Sequence, residues 1–145
     1  GGRARVKGVR TSLEVGFPGE ALPARFAPLR GRVWRATDRA NALPFEDAQF
    51  EVVLMDGSAV SRQAVKEAHR VLKPDGRLYF SVPEKTRTQA GFSLPDLYSI
   101  VRDGFHIVEV ERPDRWRFWR RERTLTICAK KKNWKTLTNT YRPYL

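Results

Sequence analysis

The chain has 145 residues, 41% of them hydrophobic, which suffices for one domain with a packed core. A single cysteine, Cys128, excludes an internal disulfide and a cysteine-built metal site, and no apolar run approaches the roughly 18 residues of a membrane span. The formal charge is +12, and from residue 111 onward eleven Lys and Arg face three acids, a pattern that suits either a polyanionic partner or a solvated basic face.

Residues 1–10 form a basic lead-in without periodicity. Residues 12–17 (SLEVGF) read as a first buried strand that runs into Gly16-Phe17-Pro18-Gly19-Glu20. Residues 21–29 allow one or two helical turns, limited by Pro23 and Pro28. Residues 32–37 (RVWRAT) alternate as a short strand. The run 50–55 (FEVVLM) is nearly continuous in apolar residues, as in a strand buried on both faces. Asp56, Gly57 and Ser58 break it. Ala64, Val65, Ala68, Val71 and Leu72 then fall on one helical face, with Ser61 placed to cap it. Lys73-Pro74-Asp75-Gly76 is a stop signal, and residues 78–82 (LYFSV) form a second buried strand. Strand, helix and strand over this span predict a parallel pair with a right-handed crossover, and a core containing Val52, Val53, Leu54, Leu78 and Phe80. After a polar loop, Ser93 and Pro95 open a helix that ends at Asp103-Gly104. Residues 106–110 and 124–129 alternate as strands. Their connection, residues 112–123, interleaves arginines with Trp116, Phe118 and Trp119, and residues 130–145 read as a polar, basic tail.

The segments ALPFEDAQFEVVLM (42–55) and AVKEAHRVLKPDGRLYFSVP (64–83) resemble the second half of class I S-adenosylmethionine-dependent methyltransferases, of the type 11-like kind that methylates small molecules and lipids. In that family an LPF loop closes the adenine side of the cofactor, and a helix ending RVLKPGG leads into the next strand. Asp75 stands here where the family has glycine. The resemblance implies an α/β, Rossmann-like, mostly parallel sheet with antiparallel C-terminal strands, over residues 11–132, followed by a tail at 133–145. It also implies S-adenosylmethionine as cofactor, with Glu14, Gly16, Phe17, Gly19, Asp38, Leu43 and Phe45 lining it. Asp56 and Ser58 would begin the substrate edge, at the carboxyl end of a central strand.

The first half departs from the family. Pro18 stands where a second turn glycine is usual and Glu20 where a third would be, and between Phe17 and Ala42 one strand–helix pair is missing or two strands are merged. Glu-x-Gly is therefore either a cofactor turn or an ordinary strand-to-helix turn. Asp38 is either a displaced cofactor contact or a turn residue, since register with the LPF loop puts the family's adenine-side aspartate on Arg39.

The resemblance points to methyl transfer onto an unidentified acceptor, a small molecule being the family's usual one. The sulfonium is already activated, so alignment of donor and acceptor suffices and no catalytic residue is named. The alternative is a cofactor-less module of the same fold. It would bind RNA or another anionic partner through Arg115, Trp116, Arg117, Trp119, Arg120 and Arg121. His69 and His106 read as structural, no metal site is expected, and the lone cysteine fits a reducing, cytoplasmic setting.

Overall fold

A computed structural model of the chain describes residues 10–17, 24–29, 31–36, 40–112, 114–117 and 120–132. Strands β1 (Thr11–Val15), β2 (Arg32–Ala36) and β3 (Phe50–Asp56) precede helix α1 (Arg62–Val71) and strand β4 (Leu72–Pro83). Helix α2 (Leu94–Val101) and strands β5 (Phe105–Glu111), β6 (Asp114–Arg117) and β7 (Arg120–Lys131) follow. The sheet order is β2-β1-β3-β4-β7-β5, with β6 paired to β7 off this path. The four strands from β2 to β4 are mutually parallel, and β7 runs antiparallel to both of its neighbours. This is the predicted Rossmann-like sheet. Between β1 and β3 the described residues hold one 3₁₀ segment (Ala24–Leu29) and one strand, so the sheet ends at β2.

Side chains in a strand alternate between faces, and both faces of the central strands are covered. Leu13 and Val15 of β1, with Val53, Met55, Leu78, Phe80, Leu125 and Ile127, join the core under α1 and α2. Val52 and Leu54 point the other way, into a smaller cluster with Phe17 and Phe26 of the 3₁₀ segment. The five core residues expected from β3 and β4 are all buried, and Leu54 pairs in parallel with Tyr79. Two serine caps start the helices. Ser61 Oγ accepts from the Ala64 N–H at 3.0 Å, and Ser93 forms a reciprocal capping box with Asp96. The stop signal at residues 73–76 is a bulge inside β4, where pairing with β3 jumps from Leu72 to Arg77. Asp75 adopts φ 66°, the left-handed turn conformation that favours glycine.

Two expectations change. Of the lysines at 130–132, grouped by composition with the basic tail, Lys131 lies in β7 and donates to the Leu72 carbonyl at 2.5 Å, while Lys132 donates to Arg102 O at 2.5 Å. Both cap helix C-termini, where cations are favoured. Residues 114–117 and 120–123 are not a plain connection but the two arms of a β-hairpin.

His69 is structural, as its place on the apolar side of α1 implies. Its ring stands edge-on to Phe105 at 5.5 Å, and a Cβ at Gly104 would sit 2.5 Å from its Cδ2. Burial, and secondarily the charge of Lys131, push its pKa from an ordinary 6.5 down to about 4. Between those values the unfolded chain binds more protons than the folded one. Stability is therefore full near neutrality and falls as pH drops through this window, by at most about 3 kcal/mol. A urea titration at stepped pH should show that slope, and His69→Gln should flatten it. Among the described residues no helix is long and apolar enough to cross a membrane.

Candidate functional site at the carboxyl edge of the sheet

The carboxyl ends of β1, β2 and β3 converge on one edge, the place where open α/β sheets take ligands. Gly16 ends β1 with φ 83°, and its N–H donates to Ala36 O at 2.8 Å, which ties the ends of β1 and β2 together. A Cβ there would lie 2.9 Å from the Ala59 Cβ, closer than carbon atoms pack. Glycine is thus required twice, for its backbone angle and for the close approach of the turn after β3. That turn, residues 57–59, is capped by Asp56, whose carboxylate accepts from the Ser58 N–H at 3.3 Å and from the Ser58 hydroxyl.

Opposite this turn lies the loop before β3. Ala40, Asn41 and Ala42 on one side, and Ser58, Ala59, Val60 and Ser61 on the other, line an open cleft of about 560 Å³. Asn41 bridges its two walls, accepting from the Ser61 hydroxyl at 3.2 Å through Oδ1 and from Gln63 Nε2 at 3.4 Å through its carbonyl. The described lining carries no charge. Its volume falls in the range of small-ligand sites, and it offers hydroxyl, amide and backbone groups rather than acids or bases.

The expected cofactor residues separate into three groups. Glu14 is 2% exposed, and its carboxylate lies 3.3 Å from Arg35 Nε of β2, which supplies the countercharge that a buried carboxylate needs. Phe17 and Leu43 are core side chains, at 3% and 4% exposure, so what they bring to this edge is backbone. Phe45 is half-buried with its ring edge-on to Phe50 at 5.1 Å. Gly16, Asp56 and Ser58 stand at the edge itself. Gly19 and Asp38 lie outside the described residues, as do Pro18, Arg39 and Trp119. Arg115, Trp116, Arg117, Arg120 and Arg121 have described backbones, in β6 and the start of β7.

The loop is held by Arg70, the arginine that opens the RVLKP motif. Arg70, near the C-terminus of α1, donates from Nη2 to Leu43 O and from Nη1 to Phe45 O, both at 2.8 Å. It also pairs with Asp47 at 2.8 Å and with Glu67 at 3.0 Å, while Glu67 Oε1 accepts from the Leu43 N–H at 2.9 Å. The hydrogen bond from Arg70 holds the Glu67 carboxyl below its usual range, and the two acids raise the Arg70 pKa. A planar guanidinium reaches several acceptors at once, which a lysine cannot do. The signal for this clamp was the spacing of Glu67 and Arg70 on one helix face, readable only once the loop is known to pass over it. Among the described residues no cluster of His, Cys, Asp and Glu could hold a metal.

Residues 24–80 match a family described as methyltransferase domain. No curated protein matches the sequence. The fold is similar to that of a Bacillus halodurans C-125 protein assigned as a methyltransferase, with a TM-score of 0.68, 14% identity, and 87% of this chain and 94% of that one covered. It is similar to a Burkholderia thailandensis 1,6-didemethyltoxoflavin-N1-methyltransferase bound to 1,6-didemethyltoxoflavin and S-adenosylhomocysteine, with a TM-score of 0.61, 21% identity, and 90% and 75% covered. The (4+2)-cyclase SpnF shares it too, with a TM-score of 0.64, 17% identity, and 85% and 74% covered.

Proposed function

The chain has the class I methyltransferase fold, and on that premise we propose that it binds S-adenosylmethionine at the carboxyl edge of its sheet and transfers the methyl group to an acceptor. A fold hosts more than one chemistry, as the cyclase among its neighbours illustrates, so the reading has to rest on the site. The observation that carries it is the pairing of the Gly16 turn with the cleft between residues 40–42 and 58–61, whose described lining is uncharged. The Gly16 turn lets Ala59 pack close and so sets the position of the wall at residues 58–61, and the cleft is large enough for a nucleoside. Asn41 and Ser61 offer it polar contacts.

The bound cofactor supplies a methyl group already activated by its sulfonium. The chain's task is then alignment, which needs rigid positioning rather than a nucleophile or a metal. Arg70 provides that rigidity on the loop side, and the Asp56–Ser58 turn provides it on the β3 side.

Titration with S-adenosylmethionine and with S-adenosylhomocysteine, followed by amide NMR and calorimetry, tests the reading. The largest shifts are expected at Gly16, at residues 58–61 and at residues 41–43. Absence of any shift at millimolar ligand would overturn it. The cofactor-less alternative would then be preferred.

A further inference from the structure

The hairpin of β6 and β7 has no role in the cofactor reading, and its position is informative. Thr124 of β7 pairs with Pro83, the last residue of β4. Residues 120–123, together with β6, therefore extend past the carboxyl end of the parallel strands by roughly 13 Å at about 3.4 Å per residue. This overhang stands on the same edge of the sheet as the cleft. Its base is fixed. Arg123 O accepts from the Glu84 N–H at 3.1 Å and from Gln89 Nε2 at 2.8 Å, and Arg112 pairs with Glu84 at 3.2 Å.

Residues 114–123 hold five arginines against Asp114 and Glu122. The register sets Arg115 opposite Glu122, Arg117 opposite Arg120, Trp116 opposite Arg121 and Asp114 opposite Arg123. Directly opposed residues share a face, so one face carries three arginines and one acid, and the other carries two arginines, one acid and Trp116. Like charges directly opposed, as at Arg117 and Arg120, weaken a hairpin, and a bound anion removes that cost. The lysines at the other end of β7 differ, because two of them are used to cap helices.

We infer that this arm binds single-stranded nucleic acid, its arginines matched to phosphates and Trp116 to an unpaired base. Arginine matches phosphate bidentately, and base stacking on aromatic residues is tolerant of sequence. The inference does not depend on S-adenosylmethionine binding.

The test is anisotropy titration of the full chain with a short oligouridylate and its DNA counterpart across a salt series. Loss of three phosphate contacts at about 0.7 of a slope unit each reduces the dependence of log K on log salt by about 2. Between about 50 and 200 mM salt the wild-type affinity should thus fall about twentyfold more than that of Arg117→Gln/Arg120→Gln/Arg121→Gln. Arg117→Gln alone should lower the slope by about 0.7, which keeps the test open if the triple variant misfolds. Trp116→Ala should weaken binding about tenfold at unchanged slope. No binding by the wild-type chain at low salt, or equal slopes in wild type and variants, would overturn the inference. So would equally tight binding to anionic phospholipid vesicles. Parallel titration of the same samples with S-adenosylmethionine separates failure of the arm from failure of the cofactor reading.

Discussion

Leu54→Ala is expected to cost about 2–5 kcal/mol of folding stability, measured as a lower urea midpoint at unchanged slope. Leu54 is fully buried in β3, with Glu14 of β1 and Tyr79 of β4 as its cross-strand neighbours. Its side chain enters the smaller core with Phe17, Phe26 and Val52, on the face that carries the 3₁₀ segment rather than α1 and α2. The strands on either side hold the walls of the cavity in place, so little collapse can repair it. Relaxation of the Phe26 segment is what sets the value within the range. Val108→Ala, at a position 47% exposed on β5, serves as the control and should stay within about 0.5 kcal/mol of wild type. A Leu54 variant as stable as that control would contradict a sheet covered on both faces.

Arg70→Met should cost about 2–3 kcal/mol, because two loop carbonyls and two carboxylates lose one shared donor. The figure is held below the sum of the separate bonds, since the Arg70 side chain is 33% exposed and water screens part of the loss. Arg70→Lys should recover only part of it, because an ammonium cannot fork across Leu43 O and Phe45 O. The local readout is hydrogen exchange at the Leu43 amide, whose acceptor is the Glu67 carboxylate. That amide should lose protection in the methionine variant more than amides of β3 do. The variant should also bind S-adenosylmethionine more weakly, as the cleft wall at residues 40–42 leads directly into the released loop. A sign follows for pH as well. The Glu67 carboxyl is held down in the folded chain, so its contribution is present above the usual carboxylate range and is lost as pH falls below it. Arg70→Met should abolish that loss while leaving the higher window of His69 intact.

Much of this protein was determined by sequence alone, wherever local period and local chemistry agree. The apolar runs at 50–55 and 78–82, the helical face between them and the caps Ser61 and Ser93 each follow from neighbours a few residues apart. They specify a βαβ unit without reference to the remainder of the chain. The histidine at 69 could be set aside as structural for the same reason, since it lies on the apolar side of its helix. The LPF and RVLKP spacing carried the family resemblance over forty residues.

Tertiary structure decided what depends on groups far apart in the chain. Gly16 is required by Ala59, forty-three positions away, as much as by its own backbone angle. Arg70 becomes a clamp only when residues 43–47 cross its helix, and Lys131 and Lys132 become caps only when β7 ends beside α1 and α2. The arginine-rich stretch reads as an undivided charge run until antiparallel pairing with β7 assigns its described residues to two faces and carries them past the carboxyl ends of the parallel strands. Hydrogen bonds and ion pairs act over about 3 Å in space, whatever the separation in sequence. Periodicity records which face of an element is buried, and only the packed fold determines what that face meets.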